Sequence, residues 1–124
     1  MIELNEKTQQ DFLNRGWVQK LIGVGVDMSD AKYIIAKDKL SMYDDEPDLT
    51  DYVWYKDSTA EVYDVCPTYT VQELFYKLLG KVNNNIIFDV VRLHYKEVPM
   101  IEILATILCN KQKFRKRVER HEVR

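Results

Sequence analysis

Thr70-Val71-Gln72-Glu73 constrains this chain more tightly than any other stretch. A threonine at a helix cap accepts a hydrogen bond from the backbone N–H three residues on. A glutamate at that third position reaches back to the threonine N–H, so four residues fix where a helix begins. Leu74, Phe75, Leu78 and Leu79 follow at three- and four-residue steps and give the helix one apolar face, which Gly80 ends. Such a face has to be buried, so the rest of the chain must supply a core. With 124 residues, 46% of them hydrophobic and 14 aromatic, the chain is large enough to do so as one domain without metal or disulfide staples.

The other elements are read from periodicity. Phe12, Leu13, Trp17, Leu21 and Ile22 form a helical stripe that Thr8 would cap and Gly23 with Gly25 would end. VDMSDAKYIIAKD offers Asp27 and Ser29 as caps and Ala31, Ile34 and Ile35 as an apolar face, which predicts a second, short helix. Tyr52–Lys56 and Glu61–Cys66 are rich in Tyr, Val and Trp and read as a β-hairpin across DSTA, with Pro67 stopping its second strand. Asn83-Asn84-Asn85 reads as a turn. The β-branched run at 86–96 reads as a further strand, with a helix as the alternative. Pro99 suits the first position of a last, strongly apolar helix carrying Met100, Ile103, Leu104, Ile107 and Leu108. The order α-α-β-β-α-β-α implies an α+β fold: a small antiparallel sheet, hairpin plus one strand, with about four helices packed on it.

Charge divides the chain. Lys111 to Arg124 hold seven of the 18 Lys and Arg and two of the 20 acids, a net +5, which leaves residues 1–110 at −7. The expected organisation is a globular domain over 1–110 and a basic tail or helix extension over 111–124. Lys111, Lys113, Arg115, Lys116, Arg117 and Arg120 are the candidate contacts to a partner or to phosphate. The alternatives are a solvated helix anchored by Phe114 and Val118, docking on the acidic loop Asp44, Asp45, Glu46, Asp48 and Asp51, a protein partner, or nucleic acid.

Signals for chemistry are thin. His94 and His121 belong to no ligand motif, and the acidic loop has Pro47 in its middle and lacks the glycine and closing glutamate of a calcium loop. Cys66 and Cys109 read as reduced thiols; a Cys66–His94 pair within one sheet lacks an orienting group. Gly23-Val24-Gly25 follows a helix, so it is no dinucleotide fingerprint. The aromatics of the hairpin fit packing or a protein surface better than base stacking, because their surroundings are acidic. No apolar run approaches the ~20 residues of a membrane span, and the polar N-terminus does not read as a signal peptide. These readings predict a cytoplasmic protein with no cofactor and no catalytic site.

VGVDMSDAKYII, the Tyr-rich segment and Pro67-Thr68-Tyr69-Thr70-Val71-Gln72-Glu73-Leu74, followed by the apolar helix, resemble small uncharacterised proteins of prophages and mobile elements of gut anaerobes. The resemblance spans about residues 9–110, leaves out the basic tail and carries over no activity. It implies a phage or mobile-element accessory protein; with no catalytic spacing and with the apolar and aromatic surface, the expected function is non-enzymatic, through protein–protein contacts with a protein partner or a homo-oligomer. Non-specific nucleic-acid binding through the tail is the alternative, and an acidic decoy for a DNA-binding protein is a third.

Overall fold

The computed structural model describes residues 2–5 and 8–122, with side chains described as far as Arg115. In chain order its elements are β1 (Ile2–Glu3), α1 (Arg15–Gly23), β2 (Tyr33–Asp38), a 3₁₀ turn (Lys39–Tyr43), β3 (Tyr52–Tyr55), β4 (Val62–Thr68), α2 (Val71–Leu79), α3 (Asn84–His94) and α4 (Met100–Glu122). Four strands in the antiparallel order β1-β3-β2-β4, with four helices, make an α+β fold.

The sheet is organised by β2. Neighbouring residues of a strand point to opposite faces, and Ile35 and Ala36 are both 0% exposed, so β2 is covered on both sides and sits between β3 and β4. This overturns the helix expected over 27–38. The Asp27 side chain accepts from the Ser29 N–H and closes a turn instead of opening a helix, and the Tyr33-Ile34-Ile35 run then pairs on both edges. It also overturns the hairpin: β3 and β4 are both strands, but each pairs with β2, and residues 56–61 carry the chain from one side of β2 to the other. Pro67 does not end β4. It lies opposite Ile34 on an edge strand, where a missing N–H costs the ladder nothing.

The register of β4 shifts by one residue between Ile35 and Lys37, and Asp64 in that bulge has φ 55°. Aspartate is one of the few residues that tolerates this left-handed conformation, and the bulge turns its carboxylate toward Lys37 and Arg15.

Helices supply the larger core. α4 packs on α1, α2 and α3, and Leu104, Ala105, Leu108 and Cys109 bury against Val18 and Leu21, Leu74 and Leu78, and Ile87. α1 starts later than expected: Asn14, not Thr8, caps it through the Trp17 N–H at 2.9 Å, and Phe12 forms a bridge with Thr70 instead of joining the helix. Residues 84–94 form a helix and not the expected strand. Asn83 caps the Asn85 N–H, and Ile87 with Val91, four residues apart, turns inward onto the core. Pro99 stands one position before its expected place, its carbonyl accepting from Glu102 and Ile103. The capping box is formed as read: Thr70 Oγ1 accepts from the Glu73 N–H at 3.2 Å, and Glu73 Oε1 accepts from the Thr70 N–H at 3.1 Å.

Thr70→Ala removes the hydroxyl that accepts from the Glu73 N–H and donates to Glu73 Oε1, leaving that carboxylate only the Thr70 N–H, so urea unfolding should show a loss of about 1 kcal/mol. An unchanged midpoint would refute the cap's contribution.

Candidate functional site

α3 is the least buried helix whose side chains are fully described. Ile87 alone of its eleven residues is buried, with Val90 and Val91 half-buried. Phe88 is 62% and Leu93 72% exposed, and Ile86 and the following Tyr95 are also exposed. Eleven residues are too few for a stable isolated helix, so α3 is held by a narrow contact while large apolar side chains face water. The two pairs lie on the two flanks of the helix, because Ile86 and Leu93, like Phe88 and Tyr95, are seven residues apart. Phe88 meets Phe75 of α2 edge-to-face at 6.5 Å, and exposed Leu79 ends that helix. Asp89 and Arg92 cap the outer surface between the flanks with a 3.4 Å ion pair.

Of the predicted basic contacts, Lys111, Lys113 and Arg115 are exposed on α4; the side chains of Lys116, Arg117 and Arg120, with Val118 and Arg124, lie outside the described residues. Phe114 is exposed and does not anchor the helix as expected. Instead Gln112 Nε2 donates to the Gly25 carbonyl at 3.3 Å. The fold adds cations that the tail alone did not suggest. Lys81 is pushed below its ordinary value by burial and then by Lys77 and Arg115, so positive charge from α2 and α4 converges there.

Two other titratable clusters are bound up in structure. Arg15 grips Asp51 with two hydrogen bonds of 2.8 and 3.0 Å, and Lys37 bridges Asp51 at 3.0 Å and Asp64 at 2.8 Å. The hydrogen bond from Arg15 outweighs burial and, with Lys37, holds Asp51 below the usual carboxylate range; Lys37 then Arg15 do the same for Asp64. In the second cluster the buried Tyr69 donates to Asp30, and Lys77 donates to the Tyr69 hydroxyl at 2.9 Å and the Asp27 carbonyl at 2.5 Å. Burial and then Asp30 push the Tyr69 phenol far above its ordinary value. The acidic loop is likewise divided: Asp51 joins the first cluster, and Asp48 accepts from Tyr52 and the Thr50 N–H.

His94 closes α3, so the shared sheet that would have paired it with Cys66 does not exist. Burial pushes the Cys66 thiol up despite nearby Arg15, leaving little thiolate, and Cys109 is buried in the core. Among the described residues no group of three His, Cys, Asp or Glu is placed to hold a metal ion, and no helix is long and apolar enough to cross a membrane. A groove of about 560 Å³ at the start of α2 is lined by Phe12, Tyr33, Tyr76 and Glu73, but Glu73 is committed to the capping box. No family model, curated protein or solved structure matches the chain.

Ile86, Phe88, Leu93 and Tyr95 were illegible as a surface while residues 86–96 read as a strand. In a helix, they are the apolar residues off the inward stripe of Ile87, Val90 and Val91, and that offset is the signal.

The ion cluster sets an acid limit on stability. Asp51 and Asp64 have folded values below their unfolded ones, so their stabilisation is full above the ordinary carboxylate range and is lost as pH falls, from about pH 4 downward. Asp51→Asn should unfold at lower urea than the parent at pH 7 and lose less between pH 7 and pH 3. Equal acid losses in both proteins would refute the assignment.

Proposed function

We propose that this protein is a non-enzymatic accessory protein, of the phage or mobile-element type its sequence resembles, that acts by protein–protein contact through the helical layer. One observation carries the reading: α3 buries a single residue while Ile86, Phe88, Leu93 and Tyr95 stand exposed. Scattered exposed apolar residues are ordinary, but four of them paired along the two flanks of one short helix, on either side of Asp89 and Arg92, leave apolar area that water does not favour. The polar clusters at Arg15 and Tyr69 are satisfied by internal partners, and the patch lies outside them. Basic residues on α4 add long-range steering to an encounter that the apolar surface would hold.

Phe88→Asp with Leu93→Asp should keep the parent's circular dichroism, because both side chains are exposed, and should abolish retention of its binding partner in a pull-down. A variant that retains the same proteins at the same level would overturn the reading.

A second reading has its own observation, the approach of Lys77 and of Arg115 from α4 to Lys81, with Lys111 one helical turn before Arg115. Here the basic end of α4 binds nucleic-acid phosphate without sequence preference. Affinity for a random oligonucleotide should fall steeply with salt, and Lys111→Glu with Lys113→Glu should lower the slope of log K against log salt by about 2. Absence of binding at low salt would overturn it.

A further inference from the structure

We propose that the partner seated on α3 is a second copy of this chain, packed antiparallel about a two-fold axis between Val90 and Val91. The inference rests on the interaction reading above and adds the identity of the occupant. Its basis is a symmetry in the residues that α3 exposes. Asp89 and Arg92 lie at equal distances on either side of the 90/91 peptide, as do Phe88 and Leu93, and Ile86 and Tyr95. A two-fold interface is self-complementary: where one residue of a copy meets a second residue of the other, the second residue of the first copy meets the first residue of the other.

About this axis, Asp89 comes level with the partner's Arg92, and Arg92 with the partner's Asp89. The 3.4 Å pair within one chain becomes part of a ring of four alternating charges. Such an axis sets each flank against its own counterpart running the opposite way. Ile86 therefore meets the partner's Leu93, and Phe88 meets the partner's Tyr95. The charges at the centre disfavour a parallel alignment, in which like charges would face each other, and the apolar flanks supply the area. A formal net charge of −2 for the whole chain leaves little repulsion between copies. A helix held on its own chain by Ile87 is covered on its remaining sides in this arrangement.

The test is a charge exchange on the full chain. Light scattering and sedimentation over a concentration series should give twice the chain mass for the parent. Asp89→Arg alone sets Arg against Arg across the axis, and Arg92→Asp alone sets Asp against Asp. Each should weaken the dimer about tenfold or more. An equimolar mixture of the two variants restores both opposite-charge pairs, so native mass spectrometry should show the mixed dimer in excess over either homodimer. Both substitutions are on exposed positions, and unchanged circular dichroism confirms the fold. A parent that is monomeric throughout, a mixture that forms no mixed dimer, or a dimer indifferent to these variants would overturn the second copy. A monomeric parent whose retention of another protein still depends on Phe88 and Leu93 overturns this inference and keeps the interaction reading. A monomeric parent with no such dependence overturns both.

Discussion

The fold depends on a three-residue junction, Thr68-Tyr69-Thr70, at which four separate parts of the chain are tied. Thr68 Oγ1 donates to the Leu13 carbonyl at 2.6 Å, and the Leu13 N–H donates back to the Tyr69 carbonyl at 3.0 Å, so the segment before α1 is laced to the end of β4. Tyr69, 1% exposed, drives its ring into the helical core and delivers its hydroxyl to Asp30 and Lys77, which fixes the turn before β2 against α2. Thr70 then opens α2 through its capping box. Thr68 and Tyr69 are buried, and leaving the Thr68 hydroxyl without its Leu13 carbonyl would cost about 1–3 kcal/mol. Sheet, turn and helices are therefore positioned together, and α4 has a fixed surface to pack on.

That economy governs where the chain can meet other molecules. The side chains with the strongest electrostatic character, Arg15, Lys37, Asp51 and Asp64 on one side and Asp30, Tyr69 and Lys77 on the other, satisfy one another within the fold. Several of the acids that looked like a display in the sequence are drawn into that work, Asp48 and Asp51 among them. Apolar side chains are also left exposed, around Leu40, Met42, Tyr43 and Leu49 as well as on α3, where they line a helix that buries a single residue. An exposed apolar flank gains free energy when covered, whereas an exposed charge is already well hydrated. Association, on this arithmetic, is better served by Phe88 and Leu93 than by the loop of aspartates.

Legibility followed the range of the interaction. The capped α2 was readable because Thr70, Glu73 and the leucines that follow specify it within ten residues. α4 was readable for the same reason, its apolar face being continuous in sequence. β2 was not: Asp27 and Ser29 are good cap residues, and a run as short as Tyr33-Ile34-Ile35-Ala36 fits either period until its pairing on both edges is known. The pairing of β3 and β4 with β2, and not with each other, is set by the burial of Ile35 and Ala36, which no local pattern around DSTA records. Residues 86–91 carry β-branched side chains that favour a strand, and the contact of Ile87 with the core overrides that preference. The basic run was plain to read at Lys111, Lys113 and Arg115, but its neighbours Lys77 and Lys81 join it only through the packing of α2 on α4.

The charge division of the sequence takes a different meaning once α4 is seen whole. The boundary between the acidic body and the basic end falls inside a helix that runs from Met100 to Glu122 without a break. Its first half is clamped by Leu104, Leu108 and Cys109 in the core, so the start of its second half leaves the domain in a set direction. A flexible arm would wrap a phosphate backbone and pay for its ordering on binding. A helix instead holds Lys111, Lys113 and Arg115 in a fixed frame, on an element that also packs against α3. In the proposed association, charge placed so rigidly would orient an incoming partner before contact and leave the apolar surface to decide whether it stays.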